Sequence, residues 1–301
     1  MGISQYLKEI GRGKQGARSL DRAQAQDLFG QILDAGVSDL EIGAFCIAMR
    51  VKGETPEEMC GFLDATHARL QRVGSASGKP VVVLPSYNGA RRLPVLTPLL
   101  AGLVARRGLP VLIHGTETES ARVFVREVLH AMDIQAASTS PRIADGQVAF
   151  VPTEVLSPSL KRLLDARKLI GLRNSAHSVV KLMNPCDGPA VIVSSYTHPE
   201  YAVSMAAVFE LQGATALLLR GTEGEAVADA RRLPQMDGFV RGHRVTLEEG
   251  RRGTLTDLPH LPKEVDAATT AAYIADVLAG RKPVPDSVAL QVEHILRLAT
   301  T

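Results

Sequence analysis

The chain reads as an α/β protein: a small helical domain, discontinuous in sequence, beside a larger α/β domain with a mainly parallel sheet. Three observations carry that reading. Residues 1–73 hold only helix-period patterns, short β-branched runs alternate with helical ones after the GSASGK stretch at 74–79, and residues 157–183 return to helix alone. Strands that alternate with helices pair in parallel through right-handed crossovers. The expected domains are therefore 1–73 plus 157–185, helical, and 80–156 plus 186–301, α/β.

Taken in order, Tyr6, Leu7 and Ile10 make one apolar face that stops at Gly11-Arg12-Gly13. Asp21 can cap a helix carrying Leu28, Phe29, Ile32 and Leu33, which Gly36 ends. Ser38 or Asp39 opens the next, through Ile42, Phe45, Ile47 and Met49. Thr55 caps a fourth, with Pro56 in its first position and Glu57 and Glu58 in its first turn. Strands are expected at 81–84, 110–113, 148–151, 190–194 and 216–219, with helices near 98–107, 118–132 and 199–212. Gly171 separates two helices inside 157–183. Alternation in FVRGHRVTLEEG (239–250) predicts a hairpin, and helices close the chain at 264–280 and about 286–299.

With 301 residues the chain can bury a substantial core, and 45% hydrophobic with 22% charged residues is the balance of a soluble globular protein. A net charge of +2 and a pI near 8.5 announce neither nucleic acid nor membrane, so any basic surface must come from placement. Cys46, Cys60 and Cys186 have no metal spacing and cannot all pair, which favours packed thiols in a reducing cytoplasm. No run approaches membrane-spanning length and the N-terminal stretch lacks an apolar signal, so no membrane partner is expected.

The most informative stretch is VVVLPSYNGARRLPVLTP at 81–98. A strand, a polar loop with Asn88-Gly89 and a helix opening at Thr97-Pro98 build an anion site in α/β proteins, because free backbone N–H groups point outward there. This loop has one glycine and two adjacent arginines. Arg91 and Arg92 read as phosphate contacts or as solvated loop residues, and Tyr87 as the ring placed to stack on a base. Arg12, Lys14 and Arg18 form an exposed turn or a phosphate clamp. Arg50 and Lys52 sit at a helix end where cations are favourable in any case. Arg167, Lys168 and Arg173 lie on the second helical segment, as anion contacts or structural ion pairs.

The order of these segments resembles the anthranilate phosphoribosyltransferases over nearly the whole chain, with His114-Gly115, Arg167, Ile170-Gly171-Leu172-Arg173, Asn184-Pro185 and GATALLLRG (213–221) as landmarks. PSYNGARR, LTPLLA, GLRNSAH, THPEY and RGTEGE look like the YbiB-type branch of these glycosyltransferase family 3 proteins, whose members are known as nucleic-acid-binding proteins. The resemblance implies a homodimer through the helical domain, and Arg167 falls on the position of the family's anthranilate-contacting arginine. The family's active enzymes use GTGGD, NIST and KHGN segments and a magnesium-binding Asp-Glu pair. Here those positions carry Pro85-Ser86-Tyr87-Asn88-Gly89, Val95-Leu96-Thr97-Pro98, Ile113-His114-Gly115-Thr116 and Ala226-Val227. Tyr87 resists the close backbone approach that pyrophosphate needs, and Ala and Val cannot ligate Mg²⁺.

The expected function is sequence-non-specific binding of DNA, and possibly of RNA, in a basic groove of a homodimer, with no cofactor and no metal. The residues expected to contact it are Lys14, Arg18, Tyr87, Asn88, Arg91, Arg92, Arg167 and Arg173. The alternative is a phosphoribosyl or glycosyl transferase with an altered substrate.

Overall fold

A computed structural model describes residues 2–119, 121–253 and 260–301. The N-terminal block is α1 (Ser4–Ile10), α2 (Gly13–Gly16), α3 (Arg22–Leu33), α4 (Asp39–Lys52) and α5 (Pro56–His67). Each of the three longer helices opens on a reciprocal cap: Asp21 with Gln24, Ser38 with Glu41, Thr55 with Glu58. Their shared interior holds Phe29, Phe45 and Phe62, with Phe29 and Phe62 stacked at 4.7 Å between ring centroids. The GRGKQGAR segment is not the open loop its glycines predict. It closes into the helical turn of α2, and the Arg12 guanidinium is held by Glu9 at 2.7 Å.

The chain then runs β1 (Gly74–Ser75), β2 (Val81–Ser86), α6 (Thr97–Arg106), β3 (Val111–Gly115), α7 (Val125–Ala131), β4 (Arg142–Ile143), β5 (Val148–Pro152) and α8 (Thr153–Leu156). It continues through α9 (Pro158–Ile170), α10 (Ala176–Leu182), β6 (Ala190–Tyr196), α11 (Pro199–Leu211), β7 (Ala216–Arg220), β8 (Met236–Val240), β9 (His243–Glu248), α12 (Ala267–Leu278) and α13 (Asp286–Ala299). The main sheet has seven strands in the order β5-β3-β2-β6-β7-β8-β9. The first five pair in parallel, and β8 and β9 add an antiparallel hairpin. β1 and β4 form a separate two-stranded pair.

Because side chains alternate along a strand, the sheet feeds two hydrophobic layers. Val81, Val83, Leu112, Ile192 and Leu218 join the N-terminal helices and α9–α11 on one face. Val82, Leu84, Ile113, Val193 and Leu219 pack with α6, α7, α12 and α13 on the other. The first layer is continuous from the N-terminal helices into the sheet, and α9 and α10 pack on α3 and α5. This is the small-helical plus α/β architecture that the sequence predicts. The helix expected over 118–132 is shorter: it starts at Val125, with Ser120 outside the described residues. The cause is a bridge, since Val123 and Ala90 exchange backbone hydrogen bonds of 2.8 and 3.0 Å that hold the preceding chain extended.

His67 and His114 lie inside the fold. His67 Nε2 accepts the Asn184 N–H at 2.9 Å, and burial pushes its pKa down to about 4. His114 is fully buried, with Nδ1 2.8 Å from the Tyr87 hydroxyl, and burial takes it down to about 3. Both therefore fold as neutral rings. An unfolded histidine titrates near 6.5, so the unfolded chain binds more protons between pH 6.5 and about 4, and stability falls as pH drops through that window. At pH 5 each should remove roughly 2 kcal/mol relative to pH 7.5. Urea midpoints recorded at the two pH values test this, and equal midpoints would refute it.

Candidate functional site

β2 lies between β3 and β6, so the connections of the sheet diverge on either side of its C-terminal end, where α/β proteins open a ligand crevice. The loop leaving β2 does not present what its sequence suggests. Tyr87 is only 3% exposed, and its hydroxyl bonds His114 Nδ1 at 2.8 Å and Thr153 Oγ1 at 2.9 Å. The expectation that it stacks on a base is thereby corrected: the ring is drawn under the loop because its hydroxyl finds two buried partners there. Asn88 is corrected in the same way. Its backbone N–H donates to Glu225 Oε1 at 2.8 Å and its side-chain Nδ2 to the Glu223 carbonyl at 3.0 Å, leaving it 6% exposed.

Two carboxylates from the turn after β7 occupy this loop. Glu225, 2% exposed, accepts from the backbone N–H groups of Asn88 and Gly89, both at 2.8 Å, and from Thr97 Oγ1 at 3.2 Å. Beside it, Lys181 Nζ donates to the Gly224 carbonyl at 3.1 Å; burial pushes this lysine down to about 8, with Glu225 pulling the other way. Glu223 Oε2 accepts three successive amides, those of Arg91 at 3.0 Å, Arg92 at 3.1 Å and Leu93 at 3.3 Å. Gly224, between the two glutamates, has φ +88°, and a Cβ there would lie 1.9 Å from Asn88 Nδ2. Only glycine lets the turn press this closely on the loop.

The amides that would face a bound pyrophosphate are therefore already bound to the protein's own carboxylates. Ala226 and Val227, which the resemblance sets at the family's metal-binding pair, are 1% and 0% exposed and packed in the core. The residues present do not fit a magnesium–pyrophosphate group, since Mg²⁺ needs oxygen ligands and Glu225 already accepts three hydrogen bonds.

Arginine side chains face outward instead. Arg91 and Arg92 are exposed, and neither makes a side-chain hydrogen bond or ion pair among the described residues. Lys14 is exposed, and Arg18 lies 3.9 Å from Glu9. Arg167 and Arg173 gather with Arg122 around one carboxylate, Glu119. The hydrogen bond from Arg167, followed by that from Arg122, holds Glu119 down at about 2. Three guanidinium groups against one carboxylate leave an excess of positive charge. Arg167 Nη1 and the nearby His177 Nε2 are buried without a partner, and burial, with Arg173 and Arg167, pushes His177 down to about 4. Lys52, by contrast, is committed to the buried Glu58 at 2.6 Å.

A cavity of about 200 Å³ is lined in part by Ser86, Glu117, Arg126, Glu154, Lys161 and Lys168, of mixed charge. That is below the usual size of a pocket for a drug-sized molecule. Sequence reading missed the inward turn of Glu223 and Glu225, and it missed Arg122 and Lys181. The only available signal was the glycine-spaced GTEGE run itself.

Removing the Glu225 carboxylate strands two buried amides and leaves Lys181 without its counter-charge. Glu225→Ala should lose roughly 3–5 kcal/mol of unfolding free energy, and Glu225→Gln, which keeps an acceptor, roughly 1–3 kcal/mol. Urea denaturation reads both. Losses below about 1 kcal/mol in both variants would show that the carboxylate does not hold the loop.

Residues 4–69 match the glycosyl transferase family, helical bundle domain. The chain is 39% identical over 298 residues to the uncharacterized protein YbiB of Escherichia coli, covering 97% of this chain and 92% of that protein. It is 28% identical over 290 residues to the anthranilate phosphoribosyltransferase of Beijerinckia indica, covering 90% of this chain and 81% of the enzyme. Among solved structures it superposes on the anthranilate phosphoribosyltransferase of Thermus thermophilus with a TM-score of 0.77 at 21% identity, over 98% of this chain and 89% of that one. It also superposes on the Saccharomyces cerevisiae enzyme in complex with PRPP and Mg, with a TM-score of 0.70 at 12% identity, over 99% and 88%. From its likeness to the Escherichia coli protein across nearly the full length of both, the chain belongs to the YbiB family, on the anthranilate phosphoribosyltransferase-like fold of glycosyltransferase family 3.

Proposed function

We propose that this protein binds nucleic acid, DNA first and RNA as a second polymer, through phosphate contacts with little sequence preference. The observation that carries the reading is the division of labour in the loop after β2. Its amides are taken by Glu223 and Glu225, while the Arg91 and Arg92 guanidinium groups stand exposed and unpaired among the described residues. Glutamates that could have repelled a polyanion beside the two arginines are turned onto backbone N–H groups. Lys14 and Arg18 supply further exposed cations, and the Arg122–Arg167–Arg173 cluster a second basic point. Tyr87 and Asn88 have no part in contact. The transferase alternative is disfavoured by the buried Ala226 and Val227 and by the occupied amides.

A homodimer fits the same proposal, with residues 1–73 and 157–185 as its dimerisation domain. Leu40, Ile47 and Val51 lie on one exposed face of α4, at 83%, 43% and 54% exposure, and Leu169 at the end of α9 is 92% exposed. An apolar face of that kind is covered most simply by a second copy. Sedimentation velocity returning a monomer would remove this part.

The loop itself is tested by Arg91→Ala/Arg92→Ala. Phosphate contacts release counterions, at about 0.9 units of log–log salt slope each. The double variant should weaken binding to unrelated random-sequence duplexes by similar factors and flatten the salt dependence by about two units. Filter binding at two salt concentrations measures both. Unchanged affinity and slope would exclude the loop from the interface.

A further inference from the structure

The Glu223 contact differs in kind from that of Glu225. Glu225 is buried, takes a hydroxyl as well as two amides, and has Lys181 beside it. Glu223 is only partly buried, and a single oxygen, Oε2, takes the amides of Arg91, Arg92 and Leu93. Consecutive N–H groups converging on one point form a nest, a concavity with fixed partial positive charge that binds anionic oxygen. The nest opens at the two residues whose guanidinium groups are exposed. Glu223 reaches it from a backbone conformation that side-chain-bearing residues rarely adopt, φ +51° and ψ 20°.

We propose that Glu223 is an internal stand-in for a phosphate group: a phosphate oxygen of the ligand replaces Oε2 on the three amides, and the carboxylate swings into solvent. The exchange leaves the charge on the nest nearly unchanged, because a phosphodiester and a carboxylate each carry about one negative charge. What the ligand gains over Glu223 is the pair of guanidinium groups at the rim, which can hold its other oxygens. Relaxation of the left-handed backbone at residue 223 favours release in the same direction. Glu225 stays in place and keeps the loop shaped. The identity of the phosphate carrier rests on the nucleic-acid reading above; the nest and its displaceable carboxylate do not.

The test uses the full chain with inorganic phosphate as the probe. Hydrogen exchange is followed in the peptide containing Arg91, Arg92 and Leu93, and phosphate affinity is measured by calorimetry. In the parent protein the three amides should be protected with or without phosphate. In Glu223→Ala they should exchange at least tenfold faster, regain protection when phosphate is added, and bind phosphate at least tenfold more tightly than the parent. Glu223→Gln, which keeps an uncharged acceptor and the local packing, should fall between the two. Lost protection that phosphate does not restore, with an intact melting transition, would overturn the proposal, as would protection unaffected by either substitution. Should Glu223→Ala fail to fold, a Glu223→Gln variant with no gain in phosphate affinity would overturn it alone. Restored protection in Glu223→Ala combined with no measurable DNA binding by the parent protein would leave the nest standing and sink the nucleic-acid reading.

Discussion

The structure turns on one interaction: the carboxylates of the turn after β7 hydrogen-bonded to the backbone amides of the loop after β2. In an open strand–loop–helix site those amides are unsatisfied donors waiting for an anion, and leaving them buried without one costs free energy. Here Glu225 and Glu223 supply the anion from within, at 2.8 to 3.3 Å. Once that is done, the loop needs no ligand to be well formed. The Glu225 contact in particular occupies the buried amides of Asn88 and Gly89.

That arrangement explains how a protein with a net charge of only +2 can present basic surface. Charge balance is local. Glu223 and Glu225 direct their charge onto amides, Glu58 onto Lys52, and Glu119 onto a cluster where arginines outnumber it. The Arg91 and Arg92 guanidinium groups, exposed at the loop, make no ion pair among the described residues, because the nearby Glu223 carboxylate is turned onto backbone amides. The aliphatic residues at Ala226 and Val227 belong to the same change. Their side chains bury into the layer that also holds Val288, Val292 and Ile295 of α13.

Likeness to the anthranilate phosphoribosyltransferases at 12–21% identity shows the fold, and a fold carries many chemistries. The site decides between them, and in this chain its backbone donors are satisfied, its metal positions are aliphatic and its exposed groups are guanidinium. Each of those three facts has a separate structural cause.

The sequence by itself determined what depends on near neighbours. Caps at Asp21, Ser38 and Thr55, the helix break at Gly171, the strand–helix alternation and the hairpin after Gly238 all follow from side chains acting within a few residues. It also shows aliphatic side chains without ligating atoms at Ala226 and Val227, which needs no coordinates. The tertiary structure alone decided the rest. Glu225 meets Asn88 across 137 residues of chain, and Arg167 meets Glu119 across 48. Tyr87 is buried because Thr153 and His114 happen to lie beneath it, and α7 is shortened because Ala90 captures Val123. A charge or hydroxyl in a sequence carries no record of which distant donor the sheet order will place against it, and it is that pairing which fixes whether the group faces solvent or the interior.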